Sequence, residues 1–166
     1  MPKLPIPIVI KPEPWFIGVD PGQSGGIAVV SFSVKCEYLF KMPETEQGIW
    51  ELFRDLSVAC ECRAVIEKVH AMPKQGVSST FKFGCGYGGL RMALTGNLIP
   101  FEEVSPQTWQ KQMGIRPRAK TESKNDHKNK LLAAAQRLFP GPRITKATAD
   151  ALLLAEYLRR EYRGVM

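Results

Sequence analysis

The sequence has few of the features typical of a secreted, zinc-binding or membrane-spanning protein. Four cysteines and two histidines occur among 166 residues, without a Cys-x-x-Cys pair. This composition argues against a disulfide scaffold or a zinc site and favours reduced thiols in a cytosol-like compartment. No apolar run reaches the roughly 18 residues of a membrane span, and no signal-peptide pattern opens the chain. We therefore expect no membrane partner.

The composition predicts one folded domain preceded by a short arm. Hydrophobic residues make up 44% of the chain and charged residues 23%, which excludes wholesale disorder and is enough to fill one core. Residues 1–14 contain five prolines and are predicted to form a flexible N-terminal arm. Residues 15–162 are predicted to form the single domain.

The positive charge is concentrated in one quarter of the sequence. The chain carries a net charge of +7, whereas residues 105–146 alone carry +8. A solvated helix face could hold some of these bases, but their mixture with proline, serine and asparagine predicts a loop that leads into a helix. Clustered lysine and arginine residues on such a segment favour contact with a phosphate backbone. The ten basic residues are Lys111, Arg116, Arg118, Lys120, Lys124, Lys128, Lys130, Arg137, Arg143 and Lys146.

Hydrophobic periodicity predicts a mixed α/β fold. Strands are expected over residues 15–20, 27–34, 36–41, 62–69 and 98–104. Helices are expected over residues 44–59, 78–96, 105–113 and 145–162, and a further helix capped by Asn125 or Asp126 is expected to run to residue 139. This order predicts one mixed five-stranded sheet with helices on both faces.

The predicted second helix is unusual in containing four interior glycines, Gly84, Gly86, Gly88 and Gly89. Each costs about 1 kcal/mol relative to alanine in a helix. We therefore expect a neighbouring group, such as a partner helix or a DNA strand, to approach this backbone closely.

Three acidic residues lie near the ends of predicted elements. Asp20 ends the first strand, Glu67 lies near the end of the fourth, and Asp150 lies in the first turns of the last helix. Each alone is typical of a solvated or capping residue. Together they would repel one another unless a cation neutralised them, and Mg²⁺ or Mn²⁺ suits oxygen ligands.

The ordered motifs resemble the RuvC family of Holliday junction resolvases. They are Gly18-Val-Asp20-Pro-Gly22 followed by Ser24-Gly-Gly26, then Ile66-Glu67-Lys-Val, then Ala149-Asp150-Ala-Leu, and they span nearly all of residues 15–160. The stretch Gly84-Cys-Gly-Tyr-Gly88, the Pro106-x-x-Trp109 pair and Leu138-Phe139-Pro140 are most similar to the phage-type and plant chloroplast branch.

The resemblance implies an RNase H-like fold and a homodimer that makes paired, symmetric, Mg²⁺-dependent nicks in a four-way DNA junction during recombination and repair. Asp20, Glu67 and Asp150 would be the catalytic metal ligands for two ions, with Mn²⁺ able to substitute. No nucleotide cofactor is expected. A cytoplasmic location in bacteria or a phage-infected host is expected, or an organelle if this is a mature form. The predicted DNA-binding residues are His70, Gln75, Lys111, Arg118, Lys120, Lys124, Lys128 and Lys146.

Trp109 is more typical of a core anchor for its short helix than of a residue that stacks on DNA.

One departure from the family pattern concerns a fourth metal ligand. The family usually has an acid or a histidine three or four residues before its last aspartate, where this chain has Lys146 and Ala147. Phosphate and water could hold the second ion, or Asp126 or Glu122 could substitute. Lys146 could instead place a charge near the scissile phosphate.

Other functions remain open at this stage. Loss of the fourth ligand could leave a catalytically silent junction-binding protein. A nuclease for RNA–DNA hybrids would use similar acids. An actin-like ATPase would need a second Asp-x-Gly phosphate loop in the C-terminal half, and none is present.

Overall fold

The computed structural model describes residues 13–33, 35–69 and 76–165. The described chain folds into five strands and five helices. In chain order they are β1 (Trp15–Asp20), β2 (Gly26–Ser31), β3 (Cys36–Lys41), α1 (Glu46–Ala59), β4 (Cys62–Glu67), α2 (Val77–Gly96), β5 (Phe101–Val104), α3 (Pro106–Gln112), α4 (Lys124–Leu138) and α5 (Lys146–Val165).

The strands form one mixed sheet in the order β3-β2-β1-β4-β5. β1 and β3 each pair antiparallel with β2, whereas β1–β4 and β4–β5 are parallel pairs. The parallel pairs are possible because α1 and α2 provide the crossovers between their strands. The predicted mixed five-stranded sheet is confirmed.

Helices cover both faces of the sheet, as predicted. On one face α1 and α2 pack on alternate strand residues such as Ile17, Val19 and Ile66. On the other face α5, supported by α3 and α4, packs on Phe16 and Val65. β1 is buried along its whole length because both faces are covered.

Local signals explain most helix starts. Thr45 and Ser105 cap α1 and α3, since each side chain accepts a hydrogen bond from a backbone amide of the first turn. The prediction that Asn125 or Asp126 caps α4 is wrong, since Ser123 is the capping residue. The helix begins at Lys124, because the Ser123 hydroxyl accepts from the Asp126 amide at 3.1 Å.

Several predicted strand ends are also corrected. β2 ends at Ser31 and β4 at Glu67, and β5 begins at Phe101 instead of residue 98. The last difference has a local cause, since Leu98 has a φ of 54°, a left-handed conformation that interrupts an extended strand. Among the described helices, none is long and apolar enough to cross a membrane.

Candidate active site

The pairing of β1 with β4 brings two of the predicted acidic residues to one edge of the sheet. The parallel register aligns Val19 with Ile66, so the next residues, Asp20 and Glu67, are neighbours at the carboxyl ends of these strands. Side chains alternate along a strand, and Val19 and Ile66 belong to the core under α1 and α2. Asp20 and Glu67 therefore lie on the opposite face, under α5.

Two glycines let α5 approach this face closely. A Cβ atom on Gly18 would lie 2.0 Å from the Ala151 carbonyl oxygen, and one on Gly26 would lie 2.7 Å from the Ala147 oxygen. Any other residue at either position would collide with the α5 backbone. The first turns of α5 consequently rest on β1 and β2, and Asp150 is placed beside Asp20, with 5% of its surface exposed.

A lysine from α4 lies between two of these carboxylates. The ammonium of Lys128 donates to Oδ2 of Asp150 at 2.5 Å and lies 3.8 Å from Oδ2 of Asp20. The sequence placed Lys128 among the residues that contact DNA. In the structure its ammonium lies within the acidic cluster, where it neutralises part of the negative charge, and its contact with DNA stays a prediction.

The ionisation of the cluster reflects its burial and its crowding. Burial, followed by repulsion from Asp150, raises the pKa of Asp20 from 3.8 to about 7. Burial also raises the pKa of Glu67, and Asp150 adds to this effect. For Lys128, burial alone would lower the pKa, but Asp150 and Asp20 outweigh it and raise the pKa. The three acids and the lysine are therefore electrostatically coupled.

Trp109 orients Glu67, a contact that sequence reasoning missed. The indole is fully buried, which confirms the prediction of a core anchor, and its Nε1 donates to Oε2 of Glu67 at 2.9 Å. This bond opposes the rise in the Glu67 pKa. The Pro106-x-x-Trp109 pattern was visible in the sequence, but the partner of the indole N–H lies 42 residues away.

The donor atoms of this cluster suit a hard divalent cation. Asp20, Glu67 and Asp150 supply carboxylate oxygens, and Oδ1 of Asp150 is buried without a hydrogen-bond partner among the described residues. Leaving such an oxygen unpaired costs free energy that a bound cation would recover. Within the described ranges, however, no three His, Cys, Asp or Glu side chains are grouped closely enough to hold a metal ion as they stand. The ammonium of Lys128 lies where the carboxylates converge.

The position of the missing fourth acid faces α4. Lys146 is exposed, and its Nζ donates to Oδ1 of Asn125 at 2.6 Å, which ties the start of α5 to the first turn of α4. The two acids considered as substitutes are engaged elsewhere. Glu122 lies 2.6 Å from Nζ of Lys130, and Asp126 accepts from Ser123 at 2.7 Å.

Four other predicted DNA-binding residues lie on the surface of α3, α4 and the loop between them. Lys111 on α3, Lys124 at the start of α4, and Arg118 and Lys120 in the loop between them are exposed. Glu122 also stabilises that loop, since it accepts from the Ala119 amide at 3.3 Å and its carbonyl from Arg118 at 2.9 Å. The predicted residues His70 and Gln75 lie outside the described residues.

Three glycines of α2 have no close neighbour within the described chain. A Cβ atom on Gly84, Gly86 or Gly88 would meet nothing within 4 Å. Phe81 and Met92 are 72% and 68% exposed on this helix, and their separation of eleven residues places them on the same face. The close approach expected from the sequence does not occur within the described part of the chain.

Comparison with known proteins identifies the fold. No family model and no curated protein sequence matches the chain. Among solved structures, RuvC of T. thermophilus in complex with a Holliday junction substrate is similar, with a TM-score of 0.63 and 15% identity over 89% of this chain and 94% of that chain. A second Thermus thermophilus RuvC structure has a TM-score of 0.61 and 16% identity over 89% and 95%. The sheet order, the helices on both faces and this likeness together establish the predicted RNase H-like fold, in the form found in RuvC.

Proposed function

We propose that this protein is a Holliday junction resolvase, a structure-specific endodeoxyribonuclease that makes paired, symmetric nicks in four-way DNA junctions during recombination and repair. One observation carries the proposal. On a fold like that of RuvC, the ends of β1 and β4 and the first turns of α5 bring Asp20, Glu67 and Asp150 into one electrostatically coupled cluster.

The chemistry would depend on a divalent metal. Asp20, Glu67 and Asp150 would hold Mg²⁺, or Mn²⁺ in its place, with two ions per site. Such ions activate a water molecule and stabilise the leaving 3′ oxygen of a phosphodiester. The chain contributes rigid placement: Trp109 holds Glu67 by its indole N–H, and the close contact of α5 with Gly18 holds Asp150 beside Asp20.

Binding of DNA would depend on the basic segment. Exposed lysines and arginines lie on α3, on α4 and in the loop between them, and α4 itself reaches the acidic cluster through Lys128. These basic side chains would contact phosphates on either side of a scissile bond. Junction binding would therefore weaken steeply as the salt concentration rises. Replacing Lys120 and Lys124 with Met would reduce that dependence.

The symmetric nicks require two active sites, and we propose that α2 forms the contact of a homodimer. Support comes from the apolar face around Phe81 and Met92, on a helix whose glycines leave its backbone open. Large exposed apolar side chains on one face of a helix are typical of an interaction surface.

Cleavage of a synthetic four-way junction tests the proposed activity. Wild-type protein with Mg²⁺ is expected to produce paired nicks. Asp20→Asn and Glu67→Gln are expected to lower the cleavage rate by at least about 100-fold, because each removes a charged metal ligand, while junction binding in gel-shift assays persists. Asp55→Asn is the matched control, since Asp55 pairs with Arg54 on α1.

A catalytically silent junction-binding protein is the second candidate. The absence of an acid at Lys146 and Ala147 and the ion pair between Lys128 and Asp150 both favour it. Tight junction binding without cleavage in either Mg²⁺ or Mn²⁺ would select this candidate. Full cleavage by Asp20→Asn would reject the proposed site.

A further inference from the structure

We propose that Lys128 is an internal cation that competes with divalent metal for the Asp20 and Asp150 carboxylates, so that metal binding displaces its ammonium from the cluster. The inference rests on the proposed function for the presence of a metal centre, and it adds a residue that controls metal affinity. Lys128 would set the affinity for the metal and would not hold the metal itself.

The contacts of Lys128 define this competition. Its ammonium donates to Oδ2 of Asp150 and lies 3.8 Å from Oδ2 of Asp20, whereas Oδ1 of Asp150 is buried and has no hydrogen-bond partner among the residues that the structure describes. A metal ion that binds Asp20 and Asp150 together would need the space and the oxygen lone pairs that the ammonium now uses. Lysine and metal therefore cannot both hold the same pair of carboxylate oxygens.

The electrostatic repulsion within the cluster also favours competition between Lys128 and a metal ion. Three carboxylates from β1, β4 and α5 repel one another, and the single positive charge of Lys128 relieves part of this repulsion in the metal-free protein. A divalent ion supplies twice that charge. Once the ion has bound, the ammonium would be repelled by it and no longer needed by the carboxylates.

The position of Lys128 suits a displaced lysine. Its side chain is 42% exposed, although its ammonium contacts carboxylates that are 7% and 12% exposed. The long stem can swing towards solvent without unpacking α4, whose core contacts come from Leu131, Ala134 and Ala135. A released ammonium at this edge would be available to a phosphate of the substrate.

Mn²⁺ binding by isothermal titration calorimetry, without DNA, tests the inference. Lys128→Met is expected to bind Mn²⁺ at least about tenfold more tightly than wild type, because the ion no longer displaces a competing cation. Lys130→Met is the matched control: it loses the same charge on the same helix, but Lys130 pairs with Glu122. Its affinity for Mn²⁺ is expected to stay within about twofold of wild type.

A second variant at the same position controls for misfolding of Lys128→Met. Lys128→Gln keeps a hydrogen-bond donor without the charge and is expected to show the same gain. Folding is followed by circular dichroism in chelator and in Mn²⁺. A variant that folds in Mn²⁺ but not in chelator supports the inference, whereas failure of both variants to fold in saturating Mn²⁺ overturns it, because the ion would then be unable to replace the ammonium.

The outcomes separate the inference from the proposed function. If wild type, both Lys128 variants and the control bind Mn²⁺ with equal affinity, the competition is disproved while the metal centre stands. If none of them binds Mn²⁺ at millimolar concentration, both the metal centre and the inference are rejected.

Discussion

The two longest helices have the same length but opposite environments. α5 and α2 each contain 20 residues. In α5, residues 148–159 are all buried, whereas α2 buries Leu90, Ala93 and Leu94 near its C-terminal end and leaves Phe81 and Met92 exposed. α5 therefore belongs to the core, and most of α2 forms an outer surface.

Glycine has opposite uses next to these helices. Around α5 the glycines lie in the strands, where Gly18 and Gly26 make room for the helix backbone. In α2 they lie in the helix itself, where Gly84, Gly86 and Gly88 face open space within the described chain. The comparison teaches that the contact of α5 is completed inside one chain, whereas the exposed face of α2 is the surface on which the proposed dimer would form.

The largest effect on stability is expected from a substitution that breaks the contact between β1 and α5. Gly18→Ala would place a Cβ atom 2.0 Å from the Ala151 oxygen and 2.4 Å from the Ala155 nitrogen. Because both are backbone atoms, the helix must shift, and we expect a loss of at least about 3 kcal/mol in the free energy of unfolding by urea denaturation. Gly84→Ala, which meets no atom within 4 Å, is expected to gain about 0.5–1 kcal/mol. Equal effects of the two substitutions would contradict the comparison.

The next largest effect is the pH dependence of the free energy of unfolding that Asp20 causes. The pKa of Asp20 is about 7 in the folded protein and 3.8 as the reference value for an unfolded chain. The folded state thus holds this proton more tightly. The stability that the group contributes is complete below pH 3.8 and is lost as pH rises through about 7.

Urea denaturation in chelator between pH 4 and pH 8 measures this loss. Wild type is expected to lose about 2–4 kcal/mol more than Asp20→Asn over this range, because the amide does not titrate. Asp55→Asn is the control and should follow wild type. Parallel profiles for wild type and Asp20→Asn would show that Asp20 titrates normally.

The smallest effect on stability is expected on α2. Phe81→Ser replaces an exposed side chain, so the free energy of unfolding of the monomer should change by less than about 0.5 kcal/mol. Sedimentation velocity should nevertheless show a shift from dimer to monomer if α2 is the dimer contact. Lys82→Ser, the adjacent exposed position, is the control. Unchanged association of Phe81→Ser would remove α2 from the proposed dimer.

Much of the fold could be predicted because its signals are local. Alternating and buried apolar runs located β1, β3 and β4, and the three acids lay at the ends of strands or near a helix start. Strand and helix ends were less predictable. The start of α4 depends on a hydrogen bond from the Asp126 amide to Ser123, and competing caps nearby looked equally suitable.

The surroundings of the acids could not be predicted from local signals. The hydrogen bond from Trp109 to Glu67 spans 42 residues, and the one from Lys128 to Asp150 spans 22. A lysine in a basic segment has the same sequence signature whether it faces phosphate or a buried carboxylate. The role of Lys128 depends on how α4 packs against α5. Hydrophobic periodicity in the sequence does not predict this packing.

The sequence by itself determined which residues are strands and helices, which three acids stand at their ends, and that the positive charge lies in one segment, because these properties follow from periodicity and composition. Tertiary structure alone decided that Gly18 admits the α5 backbone, that Trp109 orients Glu67, and that Lys128 neutralises the cluster. The physical reason is that these contacts join residues far apart in the chain, and their energies exist only once the sheet and helices have packed.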